Sequence, residues 1–165
     1  MAKTQATRKF HYGIDHFYPG LDRQKFWDLF VDYEAWSKSD ILPSEISIVE
    51  PGEGHPMGKG AVRKVVFGSM IIIEDIVGFQ PPGYFSYASR NGDMPVDEFL
   101  GELFLEQEQD GLRVRYKGSF NPKHFGMGWL FRIIFRRAQS AAFRGLGQAY
   151  EARYGRTATI IAKPD

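Results

Sequence analysis

The chain has 165 residues, a length that suits one domain (1–165) and lets folding bury roughly 70% of the unfolded surface. A composition that is 43% hydrophobic and 25% charged excludes intrinsic disorder, and 15% aromatic residues point to wide flat surfaces lining a core or a pocket. A net charge of +1 gives no electrostatic reason to bind nucleic acid.

Residues 8–18 alternate aromatic and β-branched residues with polar ones and end at Pro19-Gly20, which reads as a first strand. Asp22 can cap a helix from about Arg23 to Val31, with Phe26, Trp27, Leu29 and Phe30 at helical spacing. A second short helix is expected to hold Tyr33, Trp36 and Ser37 before Pro43. Six strands follow, over 45–50, 60–67, 70–79, 84–90, 97–109 and 112–120. Pro51-Gly52, Gly68-Ser69, Pro81-Pro82-Gly83, Asn91-Gly92 and Asp110-Gly111 separate them, all of them turn formers. From Trp129 to Tyr154 the period is helical again, with Gly155 placed to close the helix. Residues 1–7 and 156–165 are expected to be loosely ordered. Tight consecutive turns imply an antiparallel meander, and a curled meander needs something inside it. The terminal helix is the one element long enough to serve. The fold class is therefore α+β, with about seven strands wrapped on a long helix and two short helices after the first strand.

Turn chemistry sets the faces. A two-residue turn at Asp110-Gly111 would put Glu108 opposite Arg113 and Glu106 opposite Arg115 on a charged outer face. The inner face then carries Phe99, Gly101, Leu103, Leu105, Val114, Tyr116, Gly118 and Phe120. A turn centred on Gly68-Ser69 places Arg63 directly opposite Glu74, whatever the turn type, as long as no bulge intervenes. Val65, Phe67, Met70, Ile72 and Ile76 share that face, and a four-residue loop from Gln80 adds Phe85, Tyr87 and Ser89. Their aromatic company turns this face inward.

Several classes of chemistry are missing. Without cysteine there is no disulfide, thiolate zinc site or cysteine nucleophile. His11, His16, His55 and His124 offer no i, i+4 pair, so no metal site is expected. No phosphate loop, dinucleotide fingerprint or nucleophile elbow is present, so no cofactor is expected. Residues 1–9 lack an apolar signal segment and no stretch suits a membrane span, which makes a cytoplasmic protein the default expectation. His55 and His124 read as solvated loop residues, with proton carriage at a cavity mouth as the alternative.

Phe26-Trp27-Asp28-Leu29-Phe30-Val31-Asp32-Tyr33-Glu34-Ala35-Trp36 resembles the first-helix signature of the START-related, or helix-grip (SRPBCC), superfamily. Gly58-Lys59-Gly60-Ala61-Val62-Arg63 resembles its glycine-then-arginine strand opening. Glu74, Pro81-Pro82 and Tyr87 resemble its acid, double proline and tyrosine. The resemblance runs over about residues 8–154 and is closest to the polyketide cyclase/dehydrase and lipid-transport branch. It implies a sheet gripping a long helix around a hydrophobic cavity, and it does not imply one reaction. A second tryptophan often follows in the family; Ser39-Asp40 stand here instead.

The leading expectation is a binding protein for a lipid-like or polycyclic small molecule, because the inner face is apolar with few polar groups. Its expected lining is Arg63, Val65, Phe67, Ile72, Glu74, Phe85, Tyr87, Leu103, Leu105, Tyr116, Phe120, Ile134, Ala138 and Ala142. An enzyme of the cyclase/dehydrase type is the alternative, with Glu74, Arg63 and Tyr87 as the acid–base and anchoring candidates. Against that stands a purely structural ion pair fixing the hairpin. A third reading is an interaction face or homodimer contact at Trp129, Phe131 and Phe135. The start of that helix is apolar nearly all round, so it is either deeply covered or meets another surface. Ala138, Ala141, Ala142, Gly145 and Ala149 form a small-residue stripe that leaves room for a ligand or for close packing.

Overall fold

Alternation of aromatic and polar side chains makes Phe10–Pro19 a strand, β1, whose Tyr12, Ile14, His16 and Tyr18 turn inward. A computed structural model of the chain describes residues 10–34, 45–90, 94–155 and the backbone of 161–162. Helix α1 (Arg23–Val31) starts at Asp22, whose side chain accepts a 2.9 Å hydrogen bond from the Lys25 N–H, and it buries Phe26, Trp27, Leu29 and Phe30. Asp22→Ala should lower stability by ~1 kcal/mol, read as a lower thermal midpoint; an unchanged midpoint would show that the cap contributes nothing.

Strands β2 (Glu45–Glu50), β3 (Val62–Phe67), β4 (Met70–Gln80), β5 (Tyr84–Ser89), β6 (Val96–Glu108) and β7 (Gly111–Pro122) follow, then helix α2 (Gly128–Tyr154) and a short β8 (Ile161–Ala162). One antiparallel sheet runs in the order β2-β3-β4-β5-β6-β7-β1-β8, with β1 paired to β7 along its whole length. This is the expected helix-grip arrangement with one addition. Ile161 and Ala162, expected in a loose tail, pair with Phe17 and His16. Trp36 and Ser37 of the expected second helix, the Asn91-Gly92 turn, residues 1–7 and most of 156–165 lie outside the described residues. Among the described residues no helix is long and apolar enough to cross a membrane.

The β6–β7 hairpin corrects one expectation. Glu108 pairs with Gly111 and Glu106 with Arg113, so the two turn residues are Gln109 and Asp110. Gly111 serves close packing instead of the turn: a Cβ there would lie 2.3 Å from the Tyr18 carbonyl oxygen. The slip keeps each side chain on its expected face, because each residue's partner shifts by two positions along the opposite strand. The expected ion pairs, Arg113 with Glu108 and Arg115 with Glu106, form as diagonal contacts on the outer face.

In β4 the register shifts between Ile76 and Gly78. This bulge at Val77 changes which parity points inward. Glu74 and Ile76 face the core before it, and Phe79 joins Trp27 and Phe85 after it. The same strand thus delivers a charged group and an aromatic ring to one interior.

Helix α2 has two unlike halves. Its second half buries Ala142, Phe143, Leu146 and Tyr150 against the rest of the fold. The Tyr18 hydroxyl donates to the Phe143 carbonyl at 2.8 Å, and the Tyr150 hydroxyl accepts from the Asp22 N–H at 3.2 Å. Its first half leaves Trp129 58% and Ile134 46% exposed, so the helix start is not deeply covered. Gly155 closes the helix with a φ of 70°, a left-handed value that suits glycine.

Candidate functional site

Between the middle of α2 (Ile134 to Phe143), the inner face of the sheet and Phe30 of α1 lies a cavity of about 190 Å³. Its walls are mainly apolar. Twelve of the residues expected from sequence line it, namely Arg63, Val65, Phe67, Ile72, Glu74, Phe85, Tyr87, Leu103, Tyr116, Ile134, Ala138 and Ala142. Leu105 and Phe120 are buried but do not line it; Phe120 packs between Phe10 and Phe135. The inner face is simply longer than the cavity, and its ends are solid core. The mouth is marked by cavity residues that keep solvent exposure, Ile134 and Ala138 on α2 and the half-buried Phe67 and Met70 at the β3–β4 turn.

Sequence reasoning did not place Tyr12, Phe30, Ile46, Met94, Phe99, Phe135, Gln139 or Phe143 in the lining, nor Met70. Two signals were available. Phe99 and Met70 stand on faces that turn chemistry already marks as inward.

Arg63 stands opposite Glu74 in the β3–β4 register, and its Nε donates to Glu74 Oε2 at 2.6 Å. The two residues are 7% and 5% exposed. Phe85 and Tyr87 flank the guanidinium, its central carbon 5.2 Å and 4.8 Å from their ring centres, a cation–π arrangement on neighbouring side chains of β5. Among the described residues neither the Arg63 Nη nitrogens nor Glu74 Oε1 has a further hydrogen-bond partner, and both residues line the cavity. Burial is the larger influence on Glu74 and pushes its carboxyl above the usual carboxylate range, while the guanidinium pulls it down.

Above the pair sit three tyrosines. Tyr87 and Tyr116 share a hydroxyl–hydroxyl hydrogen bond of 2.8 Å, and the Tyr12 ring lies 5.9 Å from that of Tyr116. Burial raises the pKa of all three phenols, so they keep their protons at any ordinary pH. Two glycines make the space. Gly101 and Gly118 face each other on β6 and β7, and a Cβ would lie 2.3 Å from the Tyr116 hydroxyl at the first and 2.2 Å from the Tyr12 ring at the second. Gly101→Ala should therefore push Tyr116 and Tyr87 apart and cost ~1–3 kcal/mol by overcrowding. Tyrosine fluorescence and chemical denaturation would read this; wild-type values in both would refute it.

No histidine is among the described residues of the lining. His55 is not a solvated loop residue: its Nδ1 accepts the Met57 N–H at 3.0 Å and its ring stacks on Phe79 at 5.3 Å. His124 is exposed. His16 is buried on β1, where its Nε2 meets Ser140 Oγ at 3.2 Å. Among the described residues no three His, Asp or Glu side chains cluster as a metal would require.

Solved structures share this architecture. A Bacillus cereus protein, XoxI, superposes with a TM-score of 0.68 at 18% identity, over 86% of this chain and 96% of that one. Ara h 8.0201 gives 0.64 at 16%, over 85% and 98%, and MLL2253 from Mesorhizobium loti gives 0.68 at 9%, over 87% and 98%. At these identities the likeness is one of fold. No curated protein matches the chain. The profile of the family described as "Polyketide cyclase / dehydrase and lipid transport" matches residues 22–151, from the cap of α1 to the last turns of α2. That span carries nearly every wall of the cavity, and the chain belongs to this polyketide cyclase/dehydrase and lipid-transport family.

Proposed function

We propose that the protein binds a hydrophobic small molecule, lipid-like or polycyclic, in the cavity between the sheet and α2. The observation that carries this reading is a mainly apolar cavity whose polar lining, among the described residues, is one ion pair, three tyrosines and Gln139. Arg63 and Glu74 would orient a polar end of the ligand, with Phe30, Val65, Ile72 and Leu103 holding its body. Native mass spectrometry of the purified protein should detect a co-purified hydrophobic molecule, and an apolar fluorescent probe should be displaced by extracts containing it. A protein that carries no ligand and takes up no such probe would overturn the reading.

Catalysis of the cyclase/dehydrase type has narrower support. With the three phenols held protonated, Glu74 is the acid–base candidate among the described residues of the lining; burial raises its carboxyl above the usual range, and it is tied to Arg63. A contact between chains is supported by the exposed Trp129, Ile133 and Ile134. Arg132 and Arg137 on the same exposed stretch would oppose it by like-charge repulsion, so any association should strengthen with salt. Light scattering at low and high salt reads this, and a monomer under both conditions would remove the contact.

A further inference from the structure

We infer that the cavity selects an uncharged, hydroxyl-bearing ligand and discriminates against the corresponding carboxylate. This rests on the binding reading above and names the chemical class that the same site would take. Arg63 and Glu74 neutralise each other at 2.6 Å, and arginine keeps its proton, so the resting site holds a closed pair with no net charge. An incoming carboxylate would reach the Arg63 Nη donors, but it would stand beside the Glu74 carboxylate inside apolar walls. Two neighbouring anions with one cation between them leave an uncompensated buried charge. Swinging Arg63 away to serve the newcomer alone would give up its contacts with the Phe85 and Tyr87 rings and leave Glu74 without its cation.

Hydrogen-bond bookkeeping points the same way. What Arg63 offers is only donors, and what Glu74 Oε1 offers is only an acceptor. A single hydroxyl both accepts and donates, so one oxygen atom can meet Arg63 Nη and Glu74 Oε1 together. A ketone would leave Oε1 unmet, and a hydrocarbon would leave both unmet. Size adds a bound. An apolar cavity of ~150 Å³ holds benzene, so about 190 Å³ suits a fused bicyclic ring, with any longer tail leaving through the mouth at Ile134 and Ala138.

The test uses the full chain and three probes built on one ring system, 2-naphthol, 2-naphthoate and naphthalene, by titration calorimetry at neutral pH. Naphthol should bind about tenfold or more tightly than either of the others. Naphthoate binding as well as naphthol overturns the inference and leaves the binding reading standing. Failure of all three to bind overturns the binding reading and this inference with it. Glu74→Gln removes the negative charge and keeps the shape, so the order should reverse, naphthoate gaining about tenfold or more. If that variant does not fold, the wild type reports the same physics. The groups facing Glu74 are Arg63 from β3, Tyr12 from β1 and Tyr87 from β5, and burial keeps both phenols protonated. Any naphthoate that enters must then be accompanied by proton uptake at Glu74, visible as a buffer-dependent heat, while naphthol shows none. Naphthoate binding with no proton uptake refutes the charge argument.

Discussion

Replacing Arg63 by methionine is expected to destabilise the fold by ~3–5 kcal/mol near neutral pH, the cost of leaving Glu74 charged and unpartnered in the interior. The pH dependence has a definite sign. Glu74 titrates above its ordinary value because burial disfavours its anion, so its contribution is full below the usual carboxylate range and is lost as pH rises through the raised value. Without the guanidinium that value moves higher still, and the variant should recover much of its loss on acidification, where a protonated Glu74 needs no cation. Denaturation midpoints at acid and neutral pH measure the difference, and a loss that is the same at both would contradict the origin given. Replacing both residues, Arg63 by Met and Glu74 by Leu, should return most of the stability, since an apolar pair leaves no charge behind.

Phe30→Ala should cost about as much by another route, ~3–5 kcal/mol for a large buried ring removed. Phe30 packs edge-on against Phe85 at 5.0 Å and against Trp27 at 5.9 Å, and it also lines the cavity. Its removal should enlarge the binding space as well as weaken the core. A hydrophobic ligand filling the gap should then raise the thermal midpoint of the variant more than that of the wild type. Equal shifts in the two proteins would mean that the ring and the ligand do not compete for the same volume.

The fold was legible because its signals are local. Turn residues at Gly68-Ser69 fix which strand positions oppose each other, and this alone puts Arg63 beside Glu74. Alternation along β6 and β7 identified Leu103 and Tyr116 as interior. What escaped depends on distant pairing or on rotation. Tyr12 belongs to β1, whose partner β7 lies about a hundred residues away with no turn to set the register. Phe135, Gln139 and Phe143 are set by how α2 rolls against the sheet, which its periodicity leaves open where the helix start is apolar on most sides. The bulge at Val77 is marked only by Gly78 beside it, a lone glycine in a strand that signals a bulge or a close approach without telling which, so the phase change of the β4 alternation was missed. At Asp110-Gly111 a glycine required for packing resembles one required for a turn.

The unequal halves of α2 give the molecule a mechanical character. A helix clamped at one end by Tyr150 and Phe143, and lightly held at the other, behaves as a cantilever over the ligand space. Its free end can lift or fray without unfolding the sheet, because Trp129, Ile133 and Ile134 there are exposed and its hold on the core rests mainly on Phe131 and Phe135. Amide hydrogens of residues 131–140 should therefore exchange with solvent faster than those of residues 143–152, and a bound ligand should slow the first group selectively. Admission to the cavity would then be timed by the excursions of one helical arm.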